Sequence, residues 1–229
     1  MSITNTIPLL TPILITVNGG DIRISIESQD VFTQISESYF IFEGSLAKAD
    51  NSAYANAEGV ALTNNVIMLL FSRIEYYLSN QLIESLSYPG QSTTMPGLLK
   101  YPHDFSKIQG LNRLWYKDTA TTAAKADNNG FAAWHAYLIQ SPTVKGTFFR
   151  IPLKHIFGFC EDYDKIVYGL RHSLTLLGKT DDDAIFGGAA AGAGKVSLDK
   201  ISWLRYSTLS SRYSSRCRKV LNLQDNLIQ

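Results

Sequence analysis

The residue types that most often perform chemistry are present in this chain, but their spacing does not build a familiar catalytic or metal site. None of the four histidines forms the HxxxH or HExxH pattern that places two ring nitrogens on one metal ion. Cys160 has no CxxC partner, so we expect it to be buried and unreactive. No GxSxG elbow is present among the serines. We therefore predict no enzyme activity, no catalytic residue, no metal and no cofactor. The histidines are His103, His135, His155 and His172.

Residues 187–197 include a Gly-Lys pair and invite comparison with a phosphate-binding loop. The comparison fails because Ala189 stands five residues before Gly194, where that loop requires glycine. Val196 stands where a serine or threonine would hold magnesium. The Gly/Ala composition of residues 187–194 predicts a flexible connection between two strands.

Asp181, Asp182 and Asp183 supply the carboxylate oxygens that a hard divalent cation prefers. Three consecutive side chains of a strand point to alternate faces, however, and cannot converge on one ion without a turn. We therefore interpret this segment as a solvated loop corner.

The charge of the chain is unevenly distributed. The 229 residues carry a formal net charge of +1, yet residues 205–229 contain five basic residues and one acidic residue. A basic arm can bind nucleic acid by releasing counterions from phosphates. The alternative is a tail whose charge is accidental, and the sequence favours that alternative. The candidate phosphate-contacting residues are Arg212, Arg216, Arg218 and Lys219.

Short β-rich segments separated by turns recur along the chain. Ile22, Ile24 and Ile26 alternate with polar residues, as in a half-buried strand, and the glycines before them suggest a hairpin with residues 12–17. Residues 66–78 fit either a strand or a helix by periodicity; the polar break and second β-rich run after them favour a hairpin. The predicted strands are 12–17, 21–27, 39–46, 66–78, 82–88, 131–139, 146–151, 166–177, 184–186 and 195–204.

Helical signals are short. Residues 93–107 suggest two helical turns interrupted by proline, and residues 152–159 suggest one turn that begins at Pro152. No alternation of strands with long helices is visible, so the pattern predicts an all-β sandwich with short helical insertions. A hydrophobic content of 45% is sufficient for a core, whereas no apolar run approaches the ~20 residues of a membrane span. We expect no signal peptide, two reduced cysteines and an intracellular, soluble protein.

An ordered series of motifs adds to this interpretation. They are Leu62-Thr63-Asn64-Asn65, Leu70-Phe71-Ser72-Arg73-Ile74-Glu75, Tyr88-Pro89-Gly90, Leu98-Leu99-Lys100-Tyr101-Pro102, Leu114-Trp115-Tyr116-Lys117-Asp118, Ile151-Pro152-Leu153-Lys154-His155-Ile156-Phe157-Gly158-Phe159 and Asp182-Asp183-Ala184-Ile185. The series resembles the first jelly roll of double-jelly-roll major capsid proteins, especially the Polinton (Maverick) or adintovirus-like group. The resemblance extends from about Asp21 to Trp203.

The resemblance implies an antiparallel jelly-roll β-sandwich of two facing four-stranded sheets. It divides the chain into an N-terminal arm or strand (residues 1–20), a single jelly-roll domain (21–204) and a basic, poorly ordered tail (205–229). Members of the group continue into a second jelly roll and form trimers that make a pseudo-hexameric block. We expect only the first roll here, as in an endogenous relic shortened by a frameshift or early stop.

The expected function is therefore that of a capsid-like structural protein that self-associates in a virion, or otherwise lies in the host cytoplasm or nucleus, with no membrane partner. One rival is a host-retained sandwich that binds carbohydrate or protein in a groove near Trp115, Trp134 and Trp203. A second is a cupin-type metal oxygenase, which would need two histidines and a carboxylate on adjacent inward strands. The following aromatic residues could stack on bases but are expected to serve packing: Phe71, Tyr76, Tyr77 and Tyr88.

Overall fold

The computed structural model of the chain describes residues 13–14, 20–26, 31–52, 54, 60–102, 104–105, 109–115, 147–180, 184–187 and 194–209. Within these ranges the strands β1 to β11 span Ile13–Leu14, Asp21–Ile26, Val31–Lys48, Val60–Leu62, Phe71–Leu78, Gln81–Ser87, Thr147–Pro152, Ile166–Tyr168, His172–Gly178, Ile185–Gly187 and Gly194–Leu209. The helices α1, α2 and α3 span Val66–Leu69, Pro89–Lys100 and Gly158–Asp162. Short 3-10 turns occupy Leu111–Arg113 and Leu153–His155.

Most strands belong to two antiparallel sheets, in which all paired strands except the β5–β6 hairpin are distant in sequence. One sheet has the order β1-β11-β3-β7, with β8 beside the other end of β3, and the second has the order β2-β9-β5-β6. A short ladder joins β10 to β4. Along the chain, β2, β5, β6 and β9 of one sheet are interleaved with β3, β7, β8 and β11 of the other, so that the chain crosses repeatedly between the sheets, as in a jelly roll. The predicted all-β, antiparallel jelly-roll sandwich is confirmed.

The core lies between the two sheets and follows from the alternation of side chains along each strand. The isoleucines of β2 point inward, and Leu174 and Leu176 of the adjacent β9 are fully buried beside them. Aromatic rings from the first sheet fill the centre of the core. The ring centroids of Phe40 and Trp203 are 6.2 Å apart, and those of Phe42 and of Phe71 in the opposite sheet are 6.1 Å apart. The apolar residues that alternate along the strands in the sequence are therefore the residues that pack between the two sheets.

Residues 66–78 are divided between a helix and a strand. The hairpin of β5 and β6 is confirmed, but the strand prediction for Val66–Leu69 is wrong because these residues form α1. Asn65 precedes the helix with a φ of 59°, a left-handed conformation that redirects the chain. Val66, Ile67 and Met68 are all buried, so no exposed polar side chain among them distinguishes the 3.6-residue period of a helix from the two-residue period of a strand.

Two strand connections differ from the prediction. The hairpin across residues 18–20 is wrong: β1 pairs with β11 in one sheet, whereas β2 pairs with β9 in the other. The single strand over residues 166–177 is also wrong, because β8 joins β3 and β9 lies in the second sheet. Gly169 lies between them with a φ of +63°. A jelly roll requires such crossings, and glycine adopts this conformation without strain.

Helix α2 is longer than the sequence indicated. The predicted interruption by proline is confirmed, because the helix ends at Lys100 before Pro102 and residues 104–105 form a further helical turn. The predicted start at residue 93 is wrong, since the helix begins at Pro89 and contains Pro96. Pro89 begins it, where its missing N–H costs nothing. The hydroxyls of Thr93 and Thr94 donate to the carbonyls of Pro89 and Gly90, at 2.6 Å each. Pro96 is on the exposed side, where solvent can satisfy the carbonyl it leaves unpaired.

Other predicted segments have mixed outcomes. The strands at 146–151, 184–186 and 195–204 are confirmed as β7, β10 and β11. Strand β11 continues to Leu209, five residues past the predicted end of the domain, and β3 begins at Val31 rather than at residue 39. The predicted strand at 131–139 and the segment 210–229 lie outside the described residues, and the domain division remains a prediction.

Candidate functional site

The two histidines that are described lie in separate aromatic clusters. His172 is buried, and its Nδ1 is 2.8 Å from the hydroxyl of Tyr76. His155 instead contacts the rings of Tyr101 and Phe105. The described part of the chain contains no group of three histidine, cysteine or acidic side chains placed to hold a metal ion. His103 and His135 lie outside the described residues.

Cys160 is completely buried, as predicted. Burial, reinforced by the charge of Glu84, raises the pKa of the thiol to about 12. The reactive form of cysteine is the thiolate. Cys160 is therefore protonated at neutral pH and packs as a small apolar side chain.

The three tryptophans do not line an open groove in the part of the molecule that can be described. Trp203 is fully buried between the sheets and Trp115 is buried beneath α2. Trp134 lies outside the described residues. The predicted aromatic stripe is also divided, since Phe71 and Tyr76 are buried whereas Tyr88 is exposed. It cannot act as one stacking platform.

Three further groups of residues that the sequence singled out lie outside the described ranges. They are the aspartates Asp181, Asp182 and Asp183, residues 188–193 of the glycine-rich loop, and the basic residues Arg212, Arg216, Arg218 and Lys219. Their assignments therefore remain predictions.

A buried polar cluster, which the sequence did not reveal, lies under the inner face of α2. The guanidinium of Arg113 donates to Asn65 Oδ1 at 3.1 Å and to the hydroxyl of Tyr101 at 2.8 Å. Asn65 Nδ2 donates to Thr93 Oγ1 at 2.7 Å and Thr94 Oγ1 at 3.1 Å. The cluster therefore joins α1, α2 and the 3-10 turn at Leu111–Arg113.

Two aromatic rings lie beside the charged guanidinium of Arg113. The guanidinium carbon is 5.6 Å from the centroid of Tyr101 and 5.7 Å from that of Trp115. Burial lowers the pKa of Arg113, and hydrogen bonding to Tyr101 opposes that shift. Its side chain is buried, so the cluster fixes the position of α2 against the rest of the fold.

The exposed apolar side chains are concentrated in two segments. Every large hydrophobic side chain that is exposed in the described residues lies between residues 82 and 99 or between residues 166 and 170. We call Tyr88, Met95, Leu98 and Leu99 the helix patch, and Ile166, Tyr168 and Leu170 the strand patch. Leu82 and Ile83 on β6 complete the set.

Both segments lie on the same edge of the sandwich. Strand β6 is the edge of the second sheet, and β8 lies on the side of β3 opposite β11. The ammonium of Lys100, at the end of α2, lies 3.0 Å from the carboxylate of Glu161 in α3, the helix that precedes β8. The carboxylate of Glu84 accepts from the N–H groups of Gly158 and Phe159 at the start of α3, at 3.0 and 2.9 Å. The candidate functional surface of this fold is thus an apolar edge.

The fold and its strand order define a jelly-roll β-sandwich protein. More particularly, the chain belongs to the double jelly roll-like domain family, whose sequence profile matches residues 60–222. The match includes the basic residues after 204. The predicted double-jelly-roll family is confirmed, whereas the Polinton or adintovirus-like subgroup remains a prediction.

Two solved structures are similar to the chain at low sequence identity. One is PBCV-1 VP54 fitted into a reconstruction of the virophage Sputnik, with 12% identity, a TM-score of 0.42, and coverage of 94% of this chain and 45% of that chain. The other is a quasi-atomic model of the PBCV-1 virus capsid, with 12% identity, a TM-score of 0.43, and coverage of 94% and 46%. The chain thus spans less than half the length of these structures. No curated protein matches it significantly.

Proposed function

We propose that this protein is a structural, capsid-like subunit that acts by associating with copies of itself. Membership of the double jelly roll-like domain family supports the proposal. The observation that carries it is the confinement of exposed large apolar side chains, within the described residues, to one edge of the sandwich. A concentration of exposed apolar side chains on one part of a folded protein is typical of an interaction site.

The proposal includes no catalytic step. The described cysteine is buried and protonated, and the two described histidines are separated. A shell subunit needs none of this chemistry, because many identical contacts repeated by symmetry are sufficient. No helix in the described ranges combines the length and apolar character of a bilayer span.

The finer assignment extends the same proposal. The subunit belongs to a Polinton- or adintovirus-like element, carried in a virion or retained as an endogenous relic, and its assembly is trimeric or pseudo-hexameric. Arg212, Arg216, Arg218 and Lys219 would contact packaged nucleic acid, where a basic arm releases counterions. The sequence resemblance described above supports this assignment.

The alternative is a β-sandwich that binds carbohydrate or protein without assembling. It has less support, because Trp115 and Trp203, two of the three side chains proposed to line its groove, are buried. The cupin-type oxygenase also has less support, since His155 and His172 lie in different clusters.

The proposal is tested by measuring the mass of the purified protein in solution and imaging the same sample by electron microscopy. We expect discrete trimers, hexamers or shells whose population increases with protein concentration. A protein that stays monomeric up to about 100 µM, well above the Kd of a specific standard-size interface, would contradict the proposal.

A further inference from the structure

Arg113 is a buried cation without a carboxylate partner among the described residues. Its side chain is 1% exposed, and no described aspartate or glutamate forms an ion pair with it. An arginine side chain stays protonated in proteins, and a buried charge is costly unless an opposite charge lies beside it. The fold therefore holds an uncompensated positive charge beneath α2.

One hydrogen-bond donor of this guanidinium is unused. Nη1 donates to Tyr101 and Nη2 donates to Asn65, whereas Nε is buried and has no partner. A buried donor without an acceptor destabilises the folded state in addition to the unpaired charge. An acceptor that carries a negative charge satisfies Nε and compensates the guanidinium at once.

His155 contributes a second unpaired nitrogen to the same cluster. Its ring centroid is 5.5 Å from that of Tyr101, the ring that also contacts Arg113. Its Nδ1 is buried and has no hydrogen-bond partner. After burial, the charge of Arg113 is the main cause of the low pKa of His155, so the two side chains are within electrostatic reach. A neutral imidazole can carry its proton on Nδ1, and this nitrogen can then donate to an anion.

The other charges near His155 already have partners. The titratable groups around it are Tyr101 after α2, Arg113 in the 3-10 turn, Lys154 in its own turn and Glu161 in α3. Glu161 is bonded to Lys100 at 3.0 Å. Lys154 lies 3.7 Å from the carboxylate of Glu37. Arg113 is thus the charge that still requires an anion.

We propose that Arg113 and His155 form a binding site for a small inorganic anion of the halide class, such as chloride. The anion accepts from Nε of Arg113 and from Nδ1 of His155. A halide fits better than phosphate or sulfate, because each nitrogen offers one buried N–H and the several oxygens of an oxyanion would remain unbonded.

An anion held at this site has two measurable consequences. It binds the folded chain and not the unfolded one, so Tm rises with its concentration. It also favours the protonated form of His155, because an opposite charge beside an imidazolium raises the pKa. The stabilisation by chloride should therefore increase as the pH falls from about 7 to about 5.

The experiment measures thermal unfolding while chloride replaces gluconate at a constant ionic strength of about 0.2 M, so that general screening does not change. We expect chloride to raise the Tm of the wild type by about 2–4 °C at neutral pH, and by more at lower pH. Arg113→Gln should lose this effect. His155→Phe should keep a smaller effect that no longer depends on pH.

Arg150→Gln is the matched control. Arg150 also lies against a tyrosine ring, 3.7 Å from the centroid of Tyr39, but it is exposed. Its substitution changes the net charge by the same amount as Arg113→Gln and should leave the chloride effect unchanged. If Arg113→Gln does not fold, the comparison of His155→Phe with the wild type across pH decides.

A crystal of the protein soaked in sodium bromide locates the anion directly through its anomalous scattering, and we expect a peak in contact with Nε of Arg113. Bromide bound only elsewhere, or equal Tm values in chloride and gluconate, would overturn the inference. So would a chloride effect that does not change with pH in the wild type. These measurements report on the single chain, so the proposed function is tested separately from this site.

Discussion

Helix α2 presents two faces with opposite properties. On its inner face, Thr93 bonds to the buried Asn65, and Gly97 lies directly against the ring of Trp115. On its outer face, Met95 and Leu99 project into solvent, with Leu99 86% exposed. One helix of 12 residues thus carries a tightly specified interior contact and an uncovered apolar surface.

The difference separates folding from association. Polar groups in the interior are costly unless their partners are correctly placed, so the inner face fixes the position of the helix. The outer side chains contribute little to the stability of the isolated chain. We therefore expect inner-face substitutions to change the free energy of unfolding, and outer-face substitutions to change assembly.

The largest loss of unfolding free energy is expected when Asn65 is substituted. Asn65→Ala removes the bonds to Arg113, Thr93 and Thr94 and places alanine at a φ of 59°. We expect a loss of about 3–4 kcal/mol of unfolding free energy, measured by urea denaturation. Asn65→Gly loses the same bonds but tolerates the backbone, so it should be less destabilising by about 1 kcal/mol. Equal losses would show that the left-handed conformation is unimportant.

The next effect concerns the contact of α2 with Trp115. A Cβ at position 97 would lie 2.5 Å from Cη2 and 2.7 Å from Cζ2 of that buried ring. Gly97→Ala should therefore cost about 1–3 kcal/mol through overpacking, seen as a lower Tm. Gly20→Ala, which meets nothing within 4 Å, serves as the control and should change stability by less than about 0.5 kcal/mol. A neutral Gly97→Ala would mean that α2 can shift away from Trp115.

The free energy of unfolding should depend on pH through His155, whose ring contacts that of Tyr101 at the end of α2. Burial, reinforced by Arg113 and Lys154 and opposed by Glu161, lowers the pKa of His155 from 6.5 to about 4. The unfolded chain takes up a proton first, so this contribution to stability is complete above about pH 6.5 and decreases as the pH falls toward 4.

Because the His155 ring keeps some contact with solvent, the loss should be on the order of 1–2 kcal/mol. His155→Phe keeps a ring against Tyr101 and Phe105 but cannot titrate. Urea denaturation at several pH values should show a weaker pH dependence for this variant than for the wild type. If the unfolding free energies of the wild type and of this variant changed with pH in the same way, the pH dependence could not be assigned to His155.

The smallest effect on stability, and one of opposite sign, is expected at Tyr88. Tyr88→Gly removes an aromatic residue from a left-handed conformation and should raise the unfolding free energy by roughly 0.5–1 kcal/mol in thermal melts. The same variant should associate more weakly. If Tyr88→Gly were destabilised and associated normally, Tyr88 would serve folding rather than association, which would contradict its assignment to the association surface.

The sequence predicted the fold where its pattern was regular. The alternation of β2 and the hairpin of β5 and β6 reflect one buried face, which is a local signal. Helix α1 was missed because all of its first three residues are buried, so periodicity could not separate helix from strand. The separation of β8 from β9 was missed because a change of sheet at Gly169 is set by tertiary pairing.

The candidate surface was harder to predict than the fold. Leu98 and Leu99 look like core residues in the sequence, and only the packing of α2 reveals that they face outward. Arg113 has the opposite problem, since a charged residue is expected at the surface but is enclosed by aromatic rings and Asn65. The motif containing Asn65 was recognised, but its role as the centre of a hydrogen-bond cluster depends on residues distant in sequence.

The most direct test of the division between the faces of α2 is sedimentation velocity on the wild type, Met95→Glu/Leu99→Glu and Gly97→Ala at matched concentrations below their melting temperatures. We predict that the wild type and Gly97→Ala sediment as the same oligomer, and that the outer-face variant sediments as a folded monomer with an unchanged Tm. An outer-face variant that sediments like the wild type, or a wild type that is itself monomeric, would contradict the account.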